Sequence, residues 1–284
     1  MRTFADESDG AGPVYGHGAG HGAGAPYGDG PFVGVTRKLL WANGIAFVAT
    51  FLLDRFVPSI GGPLVRWLAL DPDLWYGGVP AVWQLVTYGF LHDLTSPIHL
   101  LFNLLALYFF GTMLEGMVGS RRFAWQYFTA VILGGLVHLG LAIWMPGHPM
   151  VIGASGAVLY TVVACAVLQP TARVLFFFVP MQLKVMAFIV VGLNLFTMLA
   201  PGPSKEAWDV HLAGAGLGFL AARRGWVWFD PRAWRTRRVA ERAREAEVSD
   251  QERLDRLLER IHREGMTALS ARDREFLQRM SKRR

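Results

Sequence analysis

Two side chains that could carry out acyl transfer lie near the starts of two separate apolar segments. Ser155 stands where one segment begins, and His211 has the same position in a later segment. Polar groups are costly in hydrocarbon, which makes each of them a candidate for function. A serine hydroxyl is a weak nucleophile at neutral pH and needs an adjacent base. The two residues therefore predict a nucleophile and a general base that act together inside a membrane.

A second pair of polar residues, His99 and Asn103, lies near the start of another apolar segment. The spacing of four residues places both side chains on one face of a helix. An imidazole and an amide there could donate hydrogen bonds to a developing oxyanion. The backbone at the start of the serine's helix, from Ala154 to Ser155, would assist them. An interhelical hydrogen bond that only holds the bundle together explains the pair equally well.

Glycines accompany both candidate catalytic residues. Gly153 and Gly156 surround the serine, and Gly214 and Gly218 continue the helix face that carries His211. Such a flat surface lets two helices approach closely, which would bring the imidazole to the hydroxyl. Taken alone, the small residues around the serine favour a plain helix-packing role. The histidine on a matching glycine face changes that interpretation.

The composition indicates an all-α membrane protein. Hydrophobic residues make up 52% of the 284 residues, and they cluster in long runs. A run of about 20 apolar residues crosses a hydrocarbon core of about 30 Å as a helix. The sequence predicts a six-transmembrane-helix bundle, with spans over residues 38–57, 96–116, 123–145, 153–169, 182–200 and 207–224.

Positive charges near the ends of the six segments predict how the chain is oriented. They fall on one side if both termini are cytoplasmic, and the excess of arginine over lysine suggests a bacterial inner membrane. The first segment is expected to act as an uncleaved signal anchor. The second, fourth and sixth segments then all run inward from the outer face. Because the four polar candidates lie near the starts of these segments, we expect them at one depth.

Two flanking segments lie outside the predicted bundle of residues 37–226. Residues 1–36 are rich in Gly and His and are expected to be disordered. Residues 227–284 are expected to form a basic cytoplasmic helical hairpin in which Gly265 ends the first helix. This segment carries +5 of the net charge of +6, but it shows no basic platform interleaved with aromatic residues. Nucleic-acid binding is therefore not expected, and the lipid bilayer is the expected environment.

No acidic residue completes a catalytic triad in the sequence. Glu115 lies about 18 Å farther along the second segment than the oxyanion candidates. Asp209 precedes His211 by two residues and so does not share its helix face. His138 and His148 receive no role. The sequence predicts a Ser–His dyad that needs neither a metal nor a cofactor.

Together these motifs resemble those of the rhomboid intramembrane serine proteases, over about residues 38–225. The main matches are His99-Leu-Leu-Phe-Asn103, Gly153-Ala-Ser155-Gly156 and His211-Leu-Ala-Gly214-Ala-Gly-Leu-Gly218, with further ones at Phe110-Gly111, Leu114-Glu115, Trp83-Gln84, Thr87 and Phe90-Leu91-His92.

The resemblance implies hydrolysis of peptide bonds in single-span or other transmembrane proteins near the outer membrane face. Ser155 would be the nucleophile and His211 the general base, with the oxyanion hole as described above. The fifth segment and the loop at about 200–207 would form the substrate gate and cap. The loop at 58–95 would be an embedded structural element.

The chain departs from the family pattern at two positions. Leu159, followed by Tyr160, stands where many members carry an aromatic residue that stacks on the catalytic histidine, and Gln84 stands where many carry arginine. A catalytically inactive rhomboid-like protein that binds and sorts membrane clients is the alternative function. A transporter is disfavoured, because no charged residue lies in the middle of a span and no two-half repeat is visible.

Overall fold

The computed structural model describes residues 34–145, 147–176, 178–199, 207–266 and 269–281. Nearly all of the predicted disordered tail, and residues 200–206 of the cap predicted at about 200–207, lie outside these residues. The described helices are α1 (Val35–Phe56), α2 (Pro58–Leu68), α3 (Pro72–Tyr76), α4 (Gln84–Thr87), α5 (Pro97–Ala106), α6 (Thr112–Val118), α7 (Ser120–Trp144), α8 (Ser155–Leu168), α9 (Leu183–Leu199), α10 (Trp208–Arg223), α11 (Pro231–Glu264) and α12 (Ala271–Ser281).

The bundle is helical where the apolar segments predict it. Within the described ranges, α1, α7 and the continuous helix Pro97–Val118 are long and apolar enough to cross a membrane, while α8 and α9 are apolar but shorter. Large apolar side chains face outward, among them Trp41, Phe188 and Phe196, which are 67%, 80% and 68% exposed. Exposed apolar surface of this kind marks contact with lipid. A π-helical turn at Leu107–Gly111 joins α5 to α6.

Helix α8 lies at the centre of the bundle, with α5, α6, α7, α9 and α10 packed against it. Its residues from Gly156 to Ala166 are all buried. A helix that is apolar on every side suits this position, because no face has to meet water. The first residue of α8 is Ser155, so the central helix presents the candidate nucleophile at its N-terminus.

Helix α10 presses against α8 through glycines on both helices. A Cβ atom on Gly214 would overlap the backbone carbonyl of Gly156, and one on Gly218 would overlap the backbone of Tyr160. A Cβ on Gly156 would lie 2.6 Å from Cγ1 of Val210 on the facing helix. The two backbones are therefore in contact without intervening side chains, which is the packing that small residues permit between membrane helices.

The segment between α1 and α5 folds around the side chain of Gln84, which is completely buried. Its amide oxygen accepts hydrogen bonds from the backbone N–H of Asp71 at 3.1 Å and from Nε1 of Trp75 at 3.0 Å. Its amide nitrogen donates to the carbonyl of Trp67 at 3.1 Å. The indole of Trp67 also lies against that of Trp83, with ring centroids 4.5 Å apart. A neutral amide thus organises the loop where the family pattern has arginine.

Glu115 binds the N-terminus of α1. Its carboxylate accepts hydrogen bonds from the backbone N–H of Val35 at 2.7 Å and of Thr36 at 2.8 Å, and from the Thr36 hydroxyl at 2.6 Å. The first N–H groups of a helix have no intrahelical partner, and an anion there also interacts favourably with the helix dipole. The acidic side chain therefore has a structural partner at the end of the bundle opposite the serine.

A short antiparallel hairpin, β1 (Arg173–Phe176) and β2 (Val179–Gln182), connects α8 to α9. Arg173 pairs with Gln182 and Phe176 with Val179. The all-α expectation did not include this hairpin. Val174, Phe176 and Val179 are β-branched or aromatic residues, which favour strand over helix in a segment too short to cross the membrane.

The helices α11 and α12 share a small apolar cluster that is separate from the bundle core. Leu257, Leu269 and Phe276 are buried in it. Gly265 follows α11 with a φ of +78°, a conformation that ends a helix and strongly favours glycine. The C-terminal segment therefore has a core of its own.

The start of α12 is held by polar contacts of Asp273. Its carboxylate lies 2.7 Å from the Ser270 hydroxyl and 2.9 Å from the Arg253 guanidinium of α11. These two contacts hold the pKa of the Asp273 carboxyl below its usual value. The contact with Arg253 joins the two helices at their polar surface.

The close contact between α8 and α10 predicts opposite effects for two glycines of α10. Gly214→Ala should destabilise the protein by about 1–3 kcal/mol, because the added methyl group overlaps a backbone atom that cannot move independently. Gly216→Ala is the matched control, since Gly216 is exposed and an added methyl group there would have no neighbour within 4 Å. Alanine at position 216 should stabilise the helix relative to glycine by up to about 1 kcal/mol. The apparent Tm in detergent measures both, and equal Tm values for the two variants would contradict the close contact.

Candidate active site

Ser155 and His211 are in direct contact. The Oγ atom of Ser155 lies 2.6 Å from Nε2 of His211. The serine is the first residue of α8 and the histidine lies in the first turn of α10, so the contact between these helices places the two side chains together. This is the distance at which a serine hydroxyl donates a hydrogen bond to an imidazole nitrogen, as a nucleophile paired with a general base would.

Asn194 of α9 holds the other nitrogen of the histidine. Its Oδ1 atom lies 2.5 Å from Nδ1 of His211, and its Nδ2 atom donates to the carbonyl of Val190 at 2.9 Å. Because the carbonyl of Val190 can only accept, the amide oxygen must be the atom that faces the imidazole. Nδ1 of His211 therefore carries the proton, and the lone pair of Nε2 faces the serine hydroxyl. This is the tautomer that a general base requires.

Asn194 was not predicted from the sequence, because only acidic residues were considered as the third member of a triad. The signal for it was one amide among the apolar residues of the fifth segment. That signal does not distinguish a catalytic neighbour from a helix-packing amide. The two acidic residues considered there, Glu115 and Asp209, are bonded elsewhere, to α1 and to two histidines respectively.

His99 lies beside the serine. A Cβ atom on Gly153 would be 3.2 Å from Cε1 of His99 and 3.5 Å from Oγ of Ser155, so both side chains border the space that this glycine leaves open. Gly153 has a φ of +127°, and its N–H donates to the carbonyl of Tyr88 at 2.9 Å. Only glycine suits this backbone conformation and this close approach. The imidazole of His99 is thereby near any group that the serine attacks.

The N-terminus of α8 provides backbone donors at the same place. The first hydrogen bond of this helix runs from the N–H of Val158 to the carbonyl of Ala154 at 3.0 Å. The N–H groups that precede Val158 therefore have no partner within the helix. They lie at the positive end of the helix dipole, next to the serine oxygen.

Asn103 is buried on the same helix as His99. Its Nδ2 atom donates to the backbone carbonyl of His99 at 3.0 Å. An amide nitrogen has two N–H groups, and this bond uses one of them. The bond fixes the amide one turn from the imidazole, on the helix face that the spacing of four residues predicts.

Leu159 and Tyr160 occupy the region where the family pattern has a stacking aromatic residue. Leu159 is buried, and the hydroxyl of Tyr160 lies 3.4 Å from Oε1 of Gln126 on α7. The hydroxyl of Tyr160 therefore has its partner on α7. In this chain the hydrogen bond that Nδ1–H of His211 donates to Asn194 restrains the imidazole.

Comparison with known families agrees with this arrangement. The family model described as Rhomboid domain matches residues 80–227, which is slightly more than half of the chain. A family of unknown function, DUF6576, matches residues 238–283. No curated protein matches the chain. The apolar helices and the rhomboid match make it an integral membrane protein, and the protein belongs to the rhomboid family.

Proposed function

We propose that the chain is an active intramembrane serine protease that cleaves transmembrane proteins near the outer membrane face. The observation that carries this proposal is the 2.6 Å contact between Ser155 Oγ and His211 Nε2, with Asn194 on Nδ1. A client-binding rhomboid without activity has no need for a base on its serine, nor for a partner that selects the reactive tautomer of that base. The proposed cytoplasmic position of both termini rests on the charge pattern, and the proposed count of six spans rests on the lengths of the apolar segments.

In the proposed mechanism, His211 removes the hydroxyl proton as Ser155 Oγ attacks the carbonyl carbon of the scissile bond. The imidazolium that forms keeps its Nδ1–H bond to Asn194 and gives the Nε2 proton to the leaving amine. Water then attacks the acyl-enzyme, with the same imidazole as general base. Among the described residues no acidic side chain hydrogen-bonds to the His211 ring, so the amide dipole of Asn194 stabilises the imidazolium.

The proposed oxyanion hole combines backbone and side-chain donors. Ser155 attacks from the N-terminus of α8, where the backbone from Ala154 onward offers N–H groups without helical partners. His99 lies on the other side of the opening at Gly153, and Asn103 contributes its second N–H. Preorganised donors of this kind are worth about 10²–10³ in rate each, because they do not reorganise as charge develops.

Substrates are proposed to reach the dyad past α9, the helix that the family resemblance assigns to the gate. Several α9 side chains are exposed and apolar, including Phe188, Leu193 and Phe196, as a surface in contact with lipid and substrate helices requires. Because Asn194 belongs to this helix, displacement of α9 would also change the restraint on His211. Gating and the orientation of the base would then be coupled.

Replacement of the dyad residues tests the proposed activity. Ser155→Ala and His211→Ala should each lower cleavage of a co-expressed single-span substrate by more than about 10⁴-fold, since each removes a chemically essential group. Thr161→Ala is the control, because it removes a buried hydroxyl from the same helix that bonds only to the carbonyl of Ala157. Cleavage that survives both dyad substitutions would exclude this mechanism, and an unaltered client distribution in Ser155→Ala cells would favour the sorting function.

Asn194→Ala should reduce kcat by about 10²-fold with little change in KM, because the imidazole loses its orientation while the substrate surface is kept. Asn194→Asp keeps an acceptor oxygen for Nδ1 and should restore much of the rate. Gly192→Ala is the control, because Gly192 is an exposed residue of the same helix and an added methyl group there would have no neighbour within 4 Å. A wild-type kcat for Asn194→Ala would show that α9 leaves His211 before the chemical step.

Deletion of residues 230–284 should leave cleavage of the same substrate largely intact. The apolar cluster of α11 and α12 is separate from the bundle core, and none of the dyad contacts involves these helices. The rate of cleavage should be compared at equal amounts of protein in the membrane. A loss of activity at normal membrane levels would assign the C-terminal segment a direct role.

A further inference from the structure

Three side chains that the proposed mechanism does not use converge near the start of α10. His138 belongs to α7, His148 to the loop before α8 and Asp209 to the first turn of α10. Oδ2 of Asp209 lies 2.7 Å from Nδ1 of His138 and 3.0 Å from Nε2 of His148. The three side chains are only 1%, 6% and 1% exposed. Three separate elements thus direct two imidazoles at one buried carboxylate oxygen.

The hydrogen bonds of His138 determine what can lie between it and the carboxylate. Its Nε2 atom is 3.0 Å from the carbonyl oxygen of Pro149, which can only accept, so Nε2 carries a proton. In the neutral ring Nδ1 then holds a lone pair, and this lone pair faces the Asp209 oxygen at 2.7 Å. Two acceptors repel each other at that distance. A cation, either a proton or a metal ion, must lie between them.

We infer that these three residues bind a divalent transition-metal ion of the Zn²⁺ class. The ligand atoms, two imidazole nitrogens and a carboxylate oxygen, all lie within 4.8 Å of one another. Neutral imidazoles and carboxylates are common Zn²⁺ ligands, and three of them leave a fourth position for water. The bond from His138 Nε2–H to Pro149 is the outer contact that orients metal-binding histidines.

The two distances to the carboxylate oxygen need only a small adjustment to hold such an ion. Metal–ligand bonds of about 2.0–2.1 Å in a tetrahedral site separate neighbouring ligand atoms by roughly 3.3 Å. The carboxylate oxygen and the two nitrogens, at 2.7 and 3.0 Å, therefore have to separate by a few tenths of an ångström. His148 lies in a loop, which can supply this movement, whereas the other two ligands are on packed helices.

An acidic cavity gives a cation a path to these ligands. Its volume is about 440 Å³, and His148 is among its lining residues together with the carboxylates Asp54, Asp71 and Asp73. Arg66 also lines it, and this side chain is paired with Asp71 at 3.0 Å. The lining therefore keeps net negative charge, which raises the local concentration of cations.

The ion would connect the elements that carry the dyad. Asp209 precedes His211 by two residues, and the loop that holds His148 leads into Ser155. A metal that cross-links this loop, α7 and α10 would fix the end of the bundle where the dyad lies, without touching the reacting atoms. The site is distinct from the dyad, and its existence does not depend on proteolytic activity.

Co²⁺ titration of the full-length protein in detergent tests this inference. His17 and His21 are replaced by Ala in every sample, because they are a second possible source of binding. We expect one Co²⁺ per chain with the intense visible absorption of four-coordinate nitrogen and oxygen ligation, displaced by Zn²⁺. Zn²⁺ should also raise the apparent Tm, as any ligand that binds only the folded state does. Absence of the visible band would overturn the inference and leave a protonated His–Asp cluster.

Variants locate the bound ion. His148→Ala and Asp209→Asn should each weaken Co²⁺ binding by at least about tenfold. His262→Ala, in the exposed part of α11, should leave it unchanged. A size-exclusion profile and a cooperative thermal transition like those of the metal-free parent show that His148→Ala is folded. Equal Co²⁺ affinity in folded His148→Ala and in its parent would place the ion elsewhere and contradict the assignment.

Discussion

The approach of α10 to α8 at backbone contact is the constraint on which the rest of the site depends. A side chain larger than glycine at 214 or 218 would separate the two helices, because the space is already filled by backbone atoms of α8. The same contact sets the 2.6 Å distance between the serine and the histidine, since each residue lies in the first turn of its helix. Membrane helices gain little from burying apolar surface against each other, so close van der Waals packing is a main source of their association. Gly214 and Gly218 therefore contribute both to the stability of the helix pair and to the geometry of the Ser155–His211 contact.

Neutral amides take positions in this chain where a charge would be costly. Asn194 orients the imidazole of His211 without adding a carboxylate to the apolar interior, and Gln84 organises the loop between α1 and α5 through hydrogen bonds with four groups. Two of the buried carboxylates have several partners each, Glu115 at the start of α1 and Asp209 between two histidines. An unpaired buried charge costs several kcal/mol, whereas a fully bonded amide costs little. This difference in cost accounts for the neutral amides at some buried positions and for the several partners of these two buried carboxylates.

The sequence was sufficient to predict the features that follow from a periodic pattern along the chain or from a motif. Apolar length predicted where the helices of the bundle lie, and the rhomboid family inferred from the motifs is confirmed. The spacing of His99 and Asn103 and the glycines after His211 could be interpreted because helical periodicity fixes a shared face.

Asn194 and the cluster of His138, His148 and Asp209 could not be predicted in this way. Each of these residues lies on a different element from its partners, and the contact depends on how whole helices rotate and pack. The β1–β2 hairpin was missed because four-residue strands leave little periodic signal.

The central claim is that His211 activates Ser155, and mass spectrometry of fluorophosphonate adducts tests it most directly. The purified full-length protein is labelled in detergent, digested, and the modified residue is identified for the wild type and for His211→Ala. We expect one adduct, on Ser155, that forms rapidly in the wild type and is nearly absent in His211→Ala at the same exposure time. An adduct on another residue, or labelling of Ser155 at an equal rate without the histidine, would contradict the claim.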